Sequence, residues 1–119
     1  MKTILLALAL TASLAAPAAA DYKCKNDRVE KSGSTQFTIR RSGADFTIEK
    51  SGSTKAKVVQ RGSKHAVEVS GSTKATIENG KIYKSGSTWA SVSDAQRKFD
   101  CDGTVAGALW VLFQLGVLP

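Results

Sequence analysis

The segment DCDGT at residues 100–104 contains the most suggestive reactive side chains of the chain. Two carboxylates one residue apart, followed by Gly-Thr, match a phosphoryl-transfer motif in which Asp100 would be the nucleophile and Asp102 the acid/base. Such enzymes need a buried strand before the motif and a long chain after it. Few residues follow Val105, and none of them is Lys or Asp. We therefore interpret the motif as a coincidence.

Other reactive residues lack the partners that chemistry requires. His65 is the only histidine, so a Ser nucleophile has one possible base and a zinc site has too few ligands. The aspartates of residues 100–102 could begin a calcium loop, but no Glu closes it at the twelfth position. We expect no catalytic residue, no metal and no cofactor, and hence a protein that is not an enzyme.

The two cysteines, Cys24 and Cys101, predict an exported protein closed by a disulfide. Residues 1–20 have the pattern of a signal peptide: Lys2, an apolar run, and a small-residue cleavage site ending at Ala20. The predicted location is the periplasm, the extracellular space or the cell envelope of a bacterium. The cysteines lack the short spacing of a redox-active thiol pair, so the sequence favours a structural role.

The chain is basic, with a formal net charge of +7. Such a charge favours contact with an anionic polymer or an envelope surface. Aromatic residues are few, so we expect no specific nucleic-acid recognition. The predicted contact residues are Arg40, Arg41, Lys55, Lys57, Arg61, Lys64, Lys74 and Lys81.

A repeat predicts the elements that carry these residues. The tetrapeptide SGST begins at residues 32, 51, 70 and 85, and a second Gly-containing turn signal lies within each interval. One apolar β-branched residue lies between each pair of turns, and its flanking residues alternate in polarity. This pattern predicts eight short strands within residues 21–92. The eight marker residues are Val29, Ile39, Ile48, Val58, Val67, Ile77, Ile82 and Val92.

Two all-β topologies fit the repeat. Two strands per unit of 19 residues favour a two-sided β-solenoid, in which equivalent strands stack in parallel. Glu30, Glu49 and Glu68 would then stack as like charges, which is unfavourable. The stretch TIENGKIY is a strong hairpin signal that pairs Ile77 with Ile82. An antiparallel up-and-down meander, or a small barrel, is therefore the alternative.

The early Tyr-x-Cys and the repeated units of YKCKNDRVEKSGSTQFTIRRSGADFTIEKSGST resemble bacterial exported domains of unknown function with V-x-V-x-G-S-x-x-x-V-x-V units. The resemblance covers roughly residues 22–92. It implies a repeat β fold of the solenoid type and supplies no catalytic residues. The chain departs from these domains in its many Lys and Arg residues and in its C-terminal segment.

The pattern changes in residues 93–119. Ser93 and Gln96 form a capping-box pattern that predicts a helix start. Residues 103–119 contain no charged residue, and their apolar side chains lie on every side of a helical wheel. We expect a hydrophobic helix that caps the β domain; the alternative is a tail that docks to a membrane or partner, with Trp110 and Phe113 as anchors. We expect a non-enzymatic exported scaffold with a basic β surface. The alternative is a self-assembling or membrane-associated protein that uses this tail.

Overall fold

The computed structural model describes residues 20–119, so the predicted signal peptide lies outside the described part except for Ala20. The described chain is mostly β-strand. Its strands and helices follow in the order β1 Tyr22–Lys25, β2 Arg28–Lys31, β3 Ser34–Ser42, β4 Asp45–Lys50, β5 Ser53–Arg61, β6 Lys64–Val69, β7 Ser72–Glu78, β8 Lys81–Lys84, β9 Ser87–Ser91, α1 Val92–Lys98, β10 Phe99–Asp100 and α2 Gly103–Gln114.

All ten strands form one open sheet in the order β10-β1-β2-β3-β4-β5-β6-β7-β8-β9. Strands β1 to β9 pair antiparallel with their neighbours in sequence, and β10 adds to β1 in parallel. The prediction of an all-β fold is confirmed. The preferred solenoid topology is wrong, because a solenoid pairs equivalent strands of successive repeats in parallel. The topology is the alternative, an up-and-down meander.

Tight turns explain why the meander forms. In the second SGST unit, Lys50 pairs with Ser53, so Ser51 and Gly52 alone form the turn. Their φ angles are +53° and +82°, which identifies a type I′ turn, whose twist matches that of the paired strands. A two-residue turn returns the chain beside the strand it has just left. Each SGST therefore produces a hairpin and not a crossover to a new coil.

A β-bulge follows each SGST turn. Glu49 pairs with Thr54 and Ile48 pairs with Ala56, which leaves Lys55 without a partner. The same register shift recurs in the other three SGST hairpins. Because of the extra residue, the apolar markers are 10 residues apart across each SGST. Across the hairpin turns at Gly43 and Gly62, which have no bulge, they are 9 residues apart. Bulges bend and twist a strand, so four of them near one edge curve the sheet. The residues at the bulges are Gln36, Lys55, Lys74 and Trp89.

The curved sheet wraps around helix α2. Trp89 of β9 packs edge-to-face on Trp110, with ring centroids 4.9 Å apart. Tyr22 of β1 packs on Phe113, one helical turn further, with centroids 5.4 Å apart. In a flat sheet β1 and β9 would lie about 38 Å apart. Both ends of the meander therefore curl toward the same helix.

This arrangement explains why the tail is apolar on every side. A helix that is hydrophobic all round is stable only where it is surrounded. The helix also approaches the sheet closely, because a Cβ at Gly107 would lie 2.9 Å from Cδ1 of Ile77. The fully buried side chains of α2 are Val105, Ala106, Ala108, Leu109, Val111 and Leu112.

The start of the C-terminal segment differs from the prediction. Ser91, not Ser93, caps α1, and its Oγ accepts a hydrogen bond from the backbone N–H of Asp94 at 3.1 Å. Val92 therefore opens the helix, and the eighth predicted strand is β9, which ends at Ser91. The other seven marker residues are at most 5% exposed. The strand alternation ends here because the chain turns away from the sheet to reach α2.

The predicted disulfide between Cys24 and Cys101 is present. It joins β1 to the short connection between β10 and α2, so it ties the first strand to the entry of the helix. A disulfide is compatible with an oxidising, exported location. Within residues 20–119, no helix combines the length and the apolar character that crossing a bilayer requires.

Candidate functional site

The DCDGT motif has a structural place in the fold. Cys101 forms the disulfide, and Asp102 is the N-cap of α2, where its Oδ1 accepts a hydrogen bond from the backbone N–H of Val105 at 3.1 Å. The Nη2 atom of Arg41 lies 3.7 Å from the other carboxylate oxygen. Asp100 is exposed at the end of β10. The motif thus starts a helix and holds it beside β3.

Ser63, His65 and Glu78 line one shallow depression of about 360 Å³ at the far end of β6 and β7. The Ser63 hydroxyl donates to the Glu78 carboxylate at 2.8 Å. His65 lies opposite Ile77 in the sheet register. In this geometry the serine hydroxyl donates its proton to a carboxylate. A serine nucleophile would instead need its hydroxyl to face a base such as the imidazole. In residues 20–119, no group of three His, Cys, Asp or Glu side chains comes together to hold a metal ion.

The two predicted anchors of the tail pack inside the protein. Phe113 lies among the rings of Tyr22, Phe37 and Phe99, with centroids 5.1 to 5.9 Å apart. Trp110 contacts Trp89, and each keeps only part of its surface exposed. Both residues therefore serve the contact between α2 and the sheet, and a docking role would have to compete with that packing.

The basic side chains divide by residue type. Every arginine of the chain forms a salt bridge. Two of these salt bridges lie on the middle of the sheet and join Arg40 to Glu49 at 3.1 Å and Arg61 to Glu68 at 2.9 Å. Among the described residues, no lysine forms a salt bridge. The remaining arginine pairs are Arg28–Glu30, Arg41–Asp27, Arg41–Asp102 and Arg97–Asp94. Most of the charge that is free to meet a ligand is therefore carried by ammonium groups, while Arg40 meets Glu49 through Nε alone.

These pairs also explain why the regularly spaced glutamates are tolerated. In the meander, β3 lies between Glu30 and Glu49, and β5 lies between Glu49 and Glu68. Two strand spacings separate neighbouring carboxylates by at least about 9.6 Å, where direct stacking in a solenoid would place them in contact. Each of the three also has an arginine partner.

Three lysines lie beside aromatic rings at the ends of the sheet. Lys84 Nζ is 4.6 Å from the Trp89 ring centroid, and Lys31 Nζ is 5.3 Å from that of Tyr22. Lys98 Nζ is 5.1 Å from the ring of Phe113. Cation–π contacts of this kind are favourable, so these lysines cover the aromatic core where it reaches the surface.

The face of the sheet opposite the helices is the candidate interface, which we call the open face. Alternation along the strands directs one residue toward α2 and the next to this face. Five of the eight predicted contact residues belong to it: Arg40, Lys57, Arg61, Lys64 and Lys81. The central part of the open face consists of Arg40, Thr47, Lys57, Val59, Lys64, Ala66, Glu68, Thr76, Lys81 and Tyr83.

The other three do not share the strand alternation of this set, although Arg41 lines one depression with Arg40 and Lys57, and Lys55 lines another with Lys57. Lys55 and Lys74 lie at bulges beside the SGST turns. Arg41 is opposite Phe46 on the helix-facing side, and Asp27 and Asp102 neutralise it. Arg41 therefore contacts the N-terminus of α2 and does not lie in the charged row, and its predicted role in binding stays a prediction.

Two neighbouring rows cross the open face. The charged row contains Arg40, Thr47, Lys57 and Glu68, each opposite the next in the sheet register. The smooth row contains Val59, Ala66, Thr76 and Tyr83, again in register. Lys57 and Val59 are two residues apart on β5, so the rows lie about 6.7 Å apart. Lys64 and Lys81 flank the smooth row on its other side.

Thr47 is one of the members of these rows that the sequence did not predict as a contact residue. Its hydroxyl oxygen is buried and has no hydrogen-bond partner, although buried polar groups are nearly always paired. Thr47 lies between Arg40 and Lys57 and lines a depression of about 440 Å³. The alternation of β4 predicts that Thr47 faces away from the core, but only the register of three strands reveals its two basic neighbours.

Comparison of the chain with protein-family models, curated proteins and solved structures finds no match. The resemblance of residues 22–92 to exported repeat domains stays a prediction.

Proposed function

We propose that this protein is an exported, non-enzymatic scaffold that binds an anionic polymer of the cell envelope through the open face of its sheet. The observation that supports this proposal most directly is the division of charge. Every arginine forms a salt bridge with a carboxylate of the same chain, whereas the described lysines form none. A set of unpaired ammonium groups on a rigid sheet is suited to contacts with an extended anionic chain.

The fold supports the scaffold role. The helices and the aromatic core occupy one face of the sheet, so the opposite face is available along β3 to β8. Strand pairing holds its side chains at regular intervals, and the disulfide ties the ends of the fold together. A preformed surface of this kind loses little conformational entropy when a ligand binds.

Retention on a dextran sulfate resin tests the proposal. The oxidised protein, residues 21–119, should bind at low ionic strength and elute as salt rises, because salt screens exposed charges. The variant with Lys57→Gln, Lys64→Gln and Lys81→Gln should elute at clearly lower salt.

A matched variant separates position from net charge. Lys31→Gln, Lys84→Gln and Lys98→Gln remove the same charge from the aromatic ends of the sheet. The open-face variant should lose more retention than this control. Equal losses would mean that net charge alone governs binding and would remove the open face as the interface. Absence of retention for the unmodified protein would overturn the proposed function.

A further inference from the structure

We propose that the polymer is an acidic polysaccharide, and that Arg40, Thr47 and Lys57 bind one of its carboxylate or sulfate groups while sugar rings lie on the smooth row. This inference rests on the proposed function and names its ligand class. The observation that carries it is the unpartnered hydroxyl of Thr47, held between two basic residues in one sheet register.

The protein supplies no hydrogen-bond acceptor for the Thr47 hydroxyl. An anionic oxygen between Arg40 and Lys57 would accept its hydrogen bond and receive charge-assisted bonds from both neighbours. Arg40 meets Glu49 through Nε, and a guanidinium has further N–H donors. The side chain of Arg40 is 75% exposed, and Lys57 is exposed. Both can therefore move aside to admit a ligand to the buried hydroxyl.

The acidic residues of the open face favour a sugar polymer over a polyphosphate or a lipid surface. Glu68 follows Lys57 in the charged row, and Glu78 is opposite Lys81. A dense line of phosphates would meet these carboxylates as like charges. A polysaccharide carries hydroxyl groups that donate to carboxylates, and its anionic groups are spaced along the chain. Interleaved Lys and Glu side chains match that mixture.

The smooth row provides the surface on which rings can rest. Ala66 is 2% exposed although it lies on the open face, outside the buried cluster around α2. The neighbouring Val59, Thr76 and Tyr83 are half-buried. The row from Val59 to Tyr83 crosses four strands, about 14 Å. Small side chains and one aromatic ring thus form a flat, partly apolar surface, against which the C–H faces of sugars can pack.

Calorimetric titration of the oxidised protein tests the inference. The probes are a hexamer of galacturonic acid, a heparin hexasaccharide, a neutral cello-oligosaccharide of equal length, and short-chain polyphosphate. At least one acidic oligosaccharide should bind, and the neutral one should bind much more weakly. Thr47→Val keeps the shape of the side chain and removes the hydroxyl. It should weaken acidic oligosaccharide binding about tenfold and leave the melting temperature unlowered.

Two further variants complete the test. Tyr83→Thr keeps a strand-forming residue and removes the ring, so it should weaken binding of the same oligosaccharide. The control is Lys25→Gln, which changes an exposed residue of β1 away from both rows and should bind like the unmodified protein. If Thr47→Val and Tyr83→Thr bind normally, the subsite is overturned. If polyphosphate binds and the acidic oligosaccharides do not, the ligand class is overturned, while polyphosphate binding would still support an anionic polymer as the partner.

Discussion

Leu109→Ala tests the position of helix α2, on which the architecture depends. Leu109 is fully buried, on a helix that the sheet surrounds. Removing three carbon atoms from such a site typically costs about 2–5 kcal/mol, because the apolar burial is lost and a cavity remains. A small domain has a total stability of roughly 5–15 kcal/mol. The variant should therefore lose a large part of the free energy of unfolding.

The measurement is guanidinium and thermal unfolding of the oxidised protein. A loss of about 3 kcal/mol corresponds to a fall of roughly 12–24 °C in the melting temperature of a domain of this size. The denaturation midpoint should fall without a change of slope. Circular dichroism reports the sheet, and tryptophan fluorescence reports the contact between Trp89 and Trp110. The two signals should change together, as a single cooperative unit requires.

Gln114→Ala provides the control on the same helix. Gln114 is exposed, and a surface substitution typically changes stability by less than about 0.5 kcal/mol. A loss below about 1 kcal/mol for Leu109→Ala, or a fluorescence change that precedes the loss of β structure, would refute the reasoning. Helix α2 would then separate readily from the sheet, and the interpretation of residues 93–119 as a docking segment would gain support.

Four other variants test the remaining elements by denaturant unfolding. Cys24→Ser with Cys101→Ser should cost about 4 kcal/mol, because the crosslink spans 77 residues and restricts the unfolded chain; a variant as stable as the oxidised protein would contradict this. Ser51→Asn should stabilise the type I′ turn by up to about 1 kcal/mol, and Gly52→Ala should cost about 1–2 kcal/mol, because both positions have positive φ. Asp102→Ala should cost about 1 kcal/mol by removing the N-cap of α2, and an unchanged midpoint would show that the cap contributes nothing.

Much of the local structure could be predicted from the pattern of residues. Alternation placed Ile39, Ile48 and Val58 in the core, and the recurring Ser-Gly and Asn-Gly pairs placed the turns. The topology was harder, because a repeat of 19 residues is compatible with both parallel stacking and antiparallel hairpins. The φ angles of Ser51 and Gly52 decide between them, and such angles follow from strand pairing as well as from residue type.

The sequence predicted that the candidate site would be basic, but it did not predict which residues form it. Lys57, Lys64 and Lys81 were expected at a basic surface, and strand register places them on one face. Arg41 was expected there as well, but an odd step along β3 turns it to the helix side. Thr47 has no signal of its own, because a threonine in a strand is ordinary until its neighbours on both sides are known.

The sequence by itself determined eight of the ten strands, the positions of the turns, the cysteine pair and the basic character of the protein. These depend on properties of single residues and on their spacing along the chain. The tertiary structure alone decided which lysines are free of carboxylates, which way α2 faces and which side chains share a row. Those features depend on contacts between residues far apart in sequence. A helix that is apolar all round acquires its orientation only when the four bulged hairpins curl the sheet around it.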